Sequence, residues 1–168
     1  MRYHGVLVDV GGVGVLLAGP SGAGKSECAL ELIARGHRFV ADDAVELTRE
    51  GELVIGRASA AIGGHLEIRG LGILSVADLY GPEACAESAA VDLVCRLDPG
   101  RADFDRTGLD RESEELLGVP IPRLVLPSPP GASLATIVDA AVRDLRLRRA
   151  GTDVAARFAA RWQRSSQS

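Results

Sequence analysis

The stretch VGVLLAGPSGAGKS, residues 13–26, decides the fold of this chain. Its first part, 15–18, is an apolar run typical of a buried strand, and residues 27–34 place apolar side chains at helical spacing. The turn between them matches the Walker A pattern G-x-x-x-x-G-K-[ST], with Gly19, Gly24, Lys25 and Ser26 at its fixed positions. A strand-to-helix turn of this kind directs backbone N–H groups and a helix N-terminus at one point. The pattern therefore predicts a polyphosphate-binding loop.

Lysine usage supports this interpretation. Lys25 is the one lysine in the sequence, and every other long cationic side chain is an arginine. A compact, flexible ammonium group at this position suits a phosphate chain.

Length and composition indicate one globular domain over 1–168, and the strand-turn-helix pattern at the Walker A turn predicts an α/β fold for it. The chain has 168 residues, of which 46% are hydrophobic and 25% charged, and its net charge is −4. The acidic balance gives no general field for nucleic acid, and no apolar run is long enough for a membrane span. We therefore expect no nucleic-acid or membrane partner and a cytoplasmic location. Three cysteines without paired metal-ligand spacing are expected to be unpaired thiols.

A glycine pair upstream of the Walker A turn predicts a hairpin. Residues 5–10 and 13–18 are apolar and flank Gly11 and Gly12, a signal for a two-residue turn. Counting outward from that turn places His4 opposite Gly19. His4 is then either a group beside the phosphate loop or a solvated residue at the strand end.

Two adjacent carboxylates follow the next apolar segment. Residues 38–41 predict a short strand that runs into Asp42 and Asp43. Carboxylates at a strand end beside a Walker A helix suit a magnesium nucleotide or a general base, although aspartate is also a common turn residue. Asp98, at the end of the predicted strand 91–97, is the second candidate, and the following Pro-Gly makes it resemble a turn residue.

The segment HLEIRGLGILSV, residues 65–76, combines charge with glycine. In an extended chain Glu67 and Arg69 share one face, so they form either a surface ion pair or part of a site. Further along, Arg106 lies in a charged turn from which it reaches a phosphate or remains solvated. Residues 112–117 predict a short acidic helical turn.

The C-terminal part, 132–164, predicts two helices of the same domain. Ser133 is a plausible N-cap, Gly151 ends the first helix, and Val154, Phe158 and Trp162 recur every four residues in the second. Several arginines make this end locally basic. They form either a solvated face or a docking surface for an acidic or phosphate-bearing partner.

Taken together, the segments at 4–43 (HGVLVDVGGVGVLLAGPSGAGKSECALELIARGHRFVADD) and 66–76 (LEIRGLGILSV) resemble the HPr kinase/phosphorylase family. The resemblance implies a nucleotide domain like that of phosphoenolpyruvate carboxykinase, with a mixed sheet and C-terminal helices. It implies a cytoplasmic serine protein kinase that uses ATP and Mg²⁺, acts on the phosphocarrier protein HPr of the phosphotransferase system and assembles as a hexamer.

The resemblance also assigns site residues. Asp43 is implied as the base for the HPr serine, His4 and Arg106 as groups lining the reacting phosphate, and Lys25 as the cation on the β and γ phosphates. Ser26 and Glu67 are implied as magnesium ligands. The implied phosphate-binding residues are Gly19, Pro20, Ser21, Gly22, Ala23, Gly24, Lys25 and Ser26.

Two departures from the family are visible. Members commonly carry an additional N-terminal domain, whereas only three residues precede His4 here. The loop PSPPGAS, residues 127–133, lacks the arginine found in the family segment tied to dephosphorylation. The second departure predicts kinase activity with weak or absent phosphorolysis.

Two other functions fit the same loop. A nucleotide-binding regulatory module would keep the phosphate loop and signal through a partner, without a need for a positioned base. A small-molecule kinase would need a lid, for which 56–65 is the available segment.

Overall fold

The computed structural model describes residues 1–109, 111–127 and 133–167. The strands are β1 (Arg2–His4), β2 (Val6–Val10), β3 (Val13–Ala18), β4 (Arg38–Ala41), β5 (Ala44–Glu50), β6 (Leu53–Ala58), β7 (His65–Ile68), β8 (Gly72–Ser75), β9 (Ser88–Asp98), β10 (Glu112–Leu116) and β11 (Val119–Pro127). The α-helices are α1 (Lys25–Ala34), α2 (Val76–Tyr80), α3 (Leu134–Arg149) and α4 (Val154–Ser166), and Pro82–Ala84 forms a 3₁₀ turn.

The large sheet is mixed, as predicted. Its strands lie in the order β1-β5-β6-β9-β3-β2-β4, with β11 also on β9 and β10 on β11. Strand β9 runs parallel to β3 and to β11, whereas β3 pairs antiparallel with β2. Strands β7 and β8 form a separate hairpin. Strand β3, which pairs in parallel with β9, ends just before the Walker A turn, and α1 begins just after it.

The predicted hairpin is confirmed, but the register inferred for His4 is wrong. Val10 faces Val13, and Gly11 and Gly12 both have positive φ, as a two-residue turn requires. The pairing ends at Val6 and Leu17, two residues before His4 would face Gly19. A Cβ at Gly5 would lie 2.6 Å from the carbonyl oxygen of Leu17, so only glycine fits where the chain passes from β1 to β2.

Strand β1 pairs with β5 and not with β3. His4 pairs with Ala44 of β5, and the N–H of Gly5 donates to the carbonyl of Asp43 at 3.3 Å. His4 therefore lies beside the two carboxylates rather than opposite the first glycine of the loop.

Both faces of the central hairpin are buried. Along β2, Val6, Val8 and Val10 face a core cluster that includes α1 and α3, while Leu7 faces a second cluster with β5. Four of the five residues of β2 are apolar, as is typical of a strand covered on both sides. The exception, Asp9, is buried and accepts from the N–H of Gly12 and from Arg38. The hairpin thus forms a rigid support beneath the loop that follows β3.

The two C-terminal helices begin and end close to the residues predicted from the sequence. The hydroxyl of Ser133 accepts from the N–H of Thr136, and Gly151 has a φ of 93° just after α3. Arginines of α3 pair with aspartates of the same domain: Arg143 with Asp139, Arg148 with Asp144 and Asp153, and Arg149 with Asp92. Because these arginines form ion pairs within the domain, the structure favours a stabilising role for them over the docking surface considered from the sequence.

Helix α4 differs from α3 in packing. None of its described residues is buried, and Phe158 and Trp162 are 60% and 67% exposed. Their rings stack on each other with centroids 6.4 Å apart. Across the described part of the chain, no helix is both long enough and apolar enough to cross a bilayer.

The acidic segment at 112–117 is not helical. Residues Glu112–Leu116 form β10, and Glu114 lies among three partners. It accepts from the hydroxyl of Tyr3 at 2.7 Å and from Arg96 at 2.9 Å, with Arg123 at 3.7 Å. The ion pairs across β9, β10 and β11 outweigh the low intrinsic strand preference of glutamate.

This cluster sets two pKa values. Burial and the hydrogen bond to Glu114 raise the pKa of Tyr3 to about 12. Burial alone would raise the pKa of Glu114, but hydrogen bonds from Tyr3 and Arg96 and the charges of Arg96 and Arg123 outweigh it and lower that pKa below its usual value.

We expect Glu114→Gln to lower the free energy of unfolding at neutral pH by about 1–2 kcal/mol, because charged hydrogen bonds are lost. Arg96 is 38% exposed, and solvent screening limits the effect. Since the pKa of Glu114 is lower in the folded state, its contribution is complete above the unfolded pKa and disappears as pH falls through the folded one. Urea unfolding of both proteins should therefore show a difference that shrinks below about pH 4.5.

Glu115, exposed and next along β10, provides the matched control as Glu115→Gln. A Glu114→Gln difference that grew on acidification would contradict the assigned direction of the shift.

Candidate active site

Helix α1 begins directly after the glycine-rich turn, with an open N-terminus. Its N-cap is Gly24, with a φ of 100° and no side-chain hydrogen bond to the first turn. The first-turn N–H groups of a helix have no partner within the helix. Because no side chain caps them here, they remain free to receive an anion, as the Walker A pattern predicts.

The first glycine of the loop is fixed by its neighbour on β9. Gly19 has a φ of 140°, and a Cβ there would lie 2.6 Å from the carbonyl oxygen of Leu97. A side chain at this position would clash with the backbone of β9. Its φ is also one that residues other than glycine rarely adopt. The loop therefore rests directly against the C-terminal end of the long parallel strand.

Lys25 is held within the loop. Its ammonium donates to the carbonyl oxygens of Gly19 at 2.8 Å and Pro20 at 2.9 Å, and the residue is 9% exposed. The bent arrangement keeps a positive charge at the mouth of the turn. The flexible four-carbon stem of lysine allows the ammonium to turn from these carbonyl oxygens toward phosphate oxygens.

The two aspartates after β4 point in different directions. Asp42 turns inward: one carboxylate oxygen accepts from the N–H of Asp43 at 2.9 Å, and the other from the N–H of Glu67 at 3.0 Å. Burial is the main reason why the pKa of Asp42 lies above its ordinary value, and these hydrogen bonds partly oppose it. The hydroxyl of Ser26 also donates to Asp42, at 3.4 Å.

Asp43 faces outward because of its backbone. Its φ is 67°, in the left-handed region that aspartate and asparagine tolerate better than most residues. The side chain is exposed, and its carboxylate lies 3.2 Å from Nδ1 of His4, which also lies 3.0 Å from the Asp43 carbonyl oxygen. His4 thus holds the backbone and the carboxylate of one residue.

The hairpin of β7 and β8 supplies a further acid and a cation. Leu66 and Ile68 are buried, which leaves Glu67 on the opposite, exposed face. The guanidinium of Arg69 lies close to the loop, with two of its nitrogens 3.9 Å from the position a Cβ on Gly22 would take. Glu67 and Arg69 therefore belong to the site rather than to a distant surface pair.

These groups line one cavity of about 240 Å³. The loop, β1, the end of β4 and the β7–β8 hairpin contribute His4, Ser21, Gly22, Gly24, Lys25, Ser26, Glu27, Asp42, Asp43, Glu67 and Arg69. The cavity combines cations with a cluster of carboxylates around an open helix N-terminus.

Some predicted residues lie elsewhere. The carbonyls of Gly19 and Pro20 hold Lys25, and Ala23 is buried in the core. Arg106 lies exposed in the segment 101–109 and does not line this cavity, so its role remains a prediction. Asp98 accepts from the N–H of Gly100 at 3.0 Å, which confirms it as a turn residue. Most of PSPPGAS, at 128–132, lies outside the described residues.

The assignment of roles from sequence left out three lining residues, Glu27, Asp42 and Arg69. Asp42 received no role because the order of two adjacent aspartates says nothing about which carboxylate is buried. Arg69 stood only as a surface-or-site alternative, since its approach to Gly22 depends on how the β7–β8 hairpin packs on the loop. Its sequence signal was the glycine that follows it.

The donor set suits a hard divalent cation. The side chains of Ser26, Asp42 and Glu67 offer only oxygen atoms as metal ligands. The hydroxyl of Ser26 and the backbone N–H of Glu67 both donate to the Asp42 carboxylate. Within 1–109, 111–127 and 133–167, no three His, Cys, Asp or Glu side chains are grouped as a metal cage. Mg²⁺ fits this arrangement because it commonly uses one or two carboxylates together with water and substrate phosphates.

The mixed sheet, the C-terminal helices and this cavity define a mixed α/β domain with a polar site at a glycine-rich strand-to-helix turn. Residues 1–162 match the family model of the HPr serine kinase C-terminal domain. The chain belongs to that family.

Relatives in the family are similar over most of this chain. It is 49% identical over 162 residues to an HPr kinase/phosphorylase of Geobacillus thermodenitrificans, covering 94% of this chain and 52% of that protein. A second, from Leptospira biflexa, is 45% identical over 160 residues, covering 92% and 50%. The chain thus spans about half the length of these relatives.

A solved structure shares the fold. The HPr(Ser) kinase/phosphatase from Coxiella burnetii superposes with a TM-score of 0.84 at 32% identity, covering 94% of this chain and 98% of that one. The mixed α/β architecture is therefore that of an HPr kinase/phosphatase, as the resemblance implied.

Proposed function

We propose that this domain is an ATP-dependent serine protein kinase that phosphorylates HPr or an HPr-like phosphocarrier protein. The observation that carries the proposal is one cavity in which Lys25, the open end of α1 and the outward carboxylate of Asp43 meet. Binding of a nucleotide needs the first two, whereas transfer to a hydroxyl needs the third.

In the proposed reaction, Asp43 takes the proton of the acceptor serine hydroxyl. The serine oxygen attacks the γ-phosphorus of ATP, the bond to the bridging oxygen breaks, and ADP leaves with that electron pair. His4 keeps the Asp43 carboxylate oriented through its contacts at 3.0 and 3.2 Å. Lys25 and Arg69 neutralise the negative charge on the phosphoryl oxygens.

Mg²⁺ is proposed to be held by Ser26 and Glu67, with Asp42 behind both. Bound there, the ion supplies charge neutralisation on the phosphates. The contacts of Asp42 to Ser26 and to the backbone of Glu67 support this assignment.

The direct test is phosphoryl transfer in solution. Incubation of HPr with ATP, Mg²⁺ and this protein should give HPr that has gained one phosphoryl group, as measured by mass spectrometry, and omission of the protein provides the control. A nucleotide-binding regulatory module would bind ATP and leave HPr unmodified, and a small-molecule kinase would do the same.

Reverse chemistry and assembly are separate parts of the proposal. The missing arginine in PSPPGAS predicts weak phosphorolysis, and rapid pyrophosphate formation from phospho-HPr and inorganic phosphate would contradict it. Self-association, as a hexamer by resemblance, is supported by the uncovered apolar face of α4. Light scattering of the purified chain measures it.

The position of Arg69 leads to a specific prediction. Arg69→Gln removes a cation next to Gly22, and loss of charge-assisted hydrogen bonds should lower kcat/KM for ATP roughly 10- to 100-fold. Arg57→Gln, which removes an arginine paired with Glu50 on another part of the sheet, is the matched control. Equal activity of the two variants would remove Arg69 from the phosphate site.

A further inference from the structure

Two charged side chains near the end of α1 bind the beginning of α3. Glu31 accepts a hydrogen bond from the hydroxyl of Ser133, and Arg35 donates to the hydroxyls of Thr136 at 2.8 Å and Ser133 at 3.4 Å. Arg35 also lies 3.7 Å from Glu31, four residues earlier in the chain. We call Glu31, Arg35, Ser133 and Thr136 the α1–α3 clamp.

The clamp determines position more than stability. The side chains of Arg35 and Glu31 are 40% and 51% exposed, and ion pairs at such exposure contribute little to the free energy of unfolding. Hydrogen bonds to charged groups are nevertheless directional, and three of them converge on two hydroxyls. They therefore fix where the beginning of α3 lies along α1.

The residue that follows Ser133 reaches the phosphate loop. Leu134 is 6% exposed, and a Cβ at Gly24 would lie 3.6 Å from its Cδ1 atom. Gly24 is the N-cap of α1, and its φ of 100° belongs to the conformation in which no side chain caps the first-turn N–H groups. The beginning of α3 thus packs against the part of the loop that offers these groups to an anion.

The opposite end of α3 is fixed independently of α1. Arg146 donates to the carbonyl oxygens of Val10 and Gly11 at the turn between β2 and β3, and Arg149 lies 2.8 Å from Asp92 of β9. These contacts lie about three helical turns from the clamp. An arginine at this end therefore offers a control that weakens the attachment of α3 without changing the clamp.

We propose that Glu31 and Arg35 are positioning residues for the nucleotide. Through Ser133 they hold Leu134 against Gly24, and so keep the open end of α1 in the conformation that receives the phosphates. Neither charged residue lines the phosphate cavity, so both act through the loop. Because a preorganised loop avoids the cost of ordering on binding, loss of the clamp weakens ATP binding more than it slows transfer from bound ATP. The inference rests on the proposed function.

A pair of substitutions at Thr136 gives the sharpest test. Thr136 is exposed, and Thr136→Val keeps the β-branched shape while removing the hydroxyl that accepts from Arg35. Loss of this charge-assisted hydrogen bond should raise the Kd for MgATP, measured by calorimetry, roughly 3- to 10-fold. It should leave kcat at saturating ATP unchanged. Thr136→Ser keeps the hydroxyl and should bind MgATP as the wild type does.

A double variant tests whether the contact itself is responsible. Arg35→Gln removes both contacts of the guanidinium and should raise the Kd for MgATP at least as much as Thr136→Val. Since both changes break the same hydrogen bond, Arg35→Gln/Thr136→Val should bind MgATP no more weakly than Arg35→Gln alone. Arg149→Gln, at the far end of α3, is the matched control and should leave the Kd unchanged.

Three results would overturn the inference. They are an unchanged Kd for MgATP in Arg35→Gln and Thr136→Val, equal effects of Thr136→Val and Thr136→Ser, and an equal rise in Arg149→Gln. Additive effects of Arg35→Gln and Thr136→Val would overturn it as well.

The proposed function and this inference fail in distinguishable ways, because the calorimetric Kd needs no acceptor protein. Wild-type protein that phosphorylates HPr while the clamp variants bind MgATP normally refutes the positioning role alone. Wild-type protein that binds MgATP through an intact clamp but transfers nothing refutes the kinase proposal alone. Wild-type protein that binds no MgATP refutes both.

Discussion

Asp43→Asn is expected to lower phosphoryl transfer to HPr by roughly 10²- to 10⁴-fold, the usual contribution of a general base. Asparagine keeps the size of the side chain but cannot accept the serine proton. It also tolerates the left-handed backbone found here, with a φ of 67°, so loss of activity will not reflect a distorted turn.

Nucleotide binding distinguishes this effect from general damage. Asp43→Asn should bind ATP as tightly as the wild type, because the loop and the open end of α1 are unchanged. Asp98→Asn is the control, since Asp98 is also at a strand end and accepts from a turn N–H. Wild-type transfer rates in Asp43→Asn would rule out its role as the base.

Lys25→Met is expected to lower transfer by roughly 10²- to 10³-fold, the effect of removing one preorganised donor from a charged transition state. The ammonium now donates to two loop carbonyls at 2.8 and 2.9 Å, so its loss also loosens the loop. Single-turnover transfer at saturating ATP measures the chemical effect apart from weaker binding.

The absence of other lysines provides an independent readout for Lys25. An amine-reactive reagent can modify only Lys25 and the N-terminal amine of Met1, and MgATP should protect the former while leaving the latter reactive. Lys25→Arg preserves charge and is expected to recover only part of the activity, because a planar guanidinium does not fit the same contacts. Equal modification of Lys25 with and without MgATP would contradict its assignment to the phosphates.

Local chemistry predicted much of the site. The Walker A turn, the helix that follows it, the hairpin with its Gly11–Gly12 turn and the strand ending before Asp42 depend on contacts between near neighbours in the chain. Such signals need no knowledge of distant segments, since glycine, apolar periodicity and capping act locally.

The errors came from long-range packing. Register counting placed His4 opposite Gly19, but the β2–β3 ladder ends at Val6 and Leu17, and His4 pairs with Ala44 of β5 instead. The acidic stretch 112–117 suggested a helix, but Arg96 and Arg123 from other strands hold Glu114 in β10. Neither partner is identifiable from the segment itself.

The directions of the Asp42 and Asp43 side chains could not be predicted from the sequence either. The sequence predicted an acidic pair next to the loop, whereas the positive φ of Asp43 turns one acid outward and the other toward Ser26 and Glu67. Arg69 lines the cavity because the β7–β8 hairpin packs against the glycine-rich loop. Arg106 did not, so its proposed contact with phosphate stays a prediction.

The most direct measurement of the central claim is the identity of the amino acid that receives the phosphate. HPr labelled from γ-labelled ATP in the presence of this protein and Mg²⁺ should carry an acid-stable phosphoserine, located by peptide mapping and lost when that serine is replaced by alanine. Asp43→Asn should give almost no label in the same time. Label on histidine, or no label on HPr at all, would contradict the account.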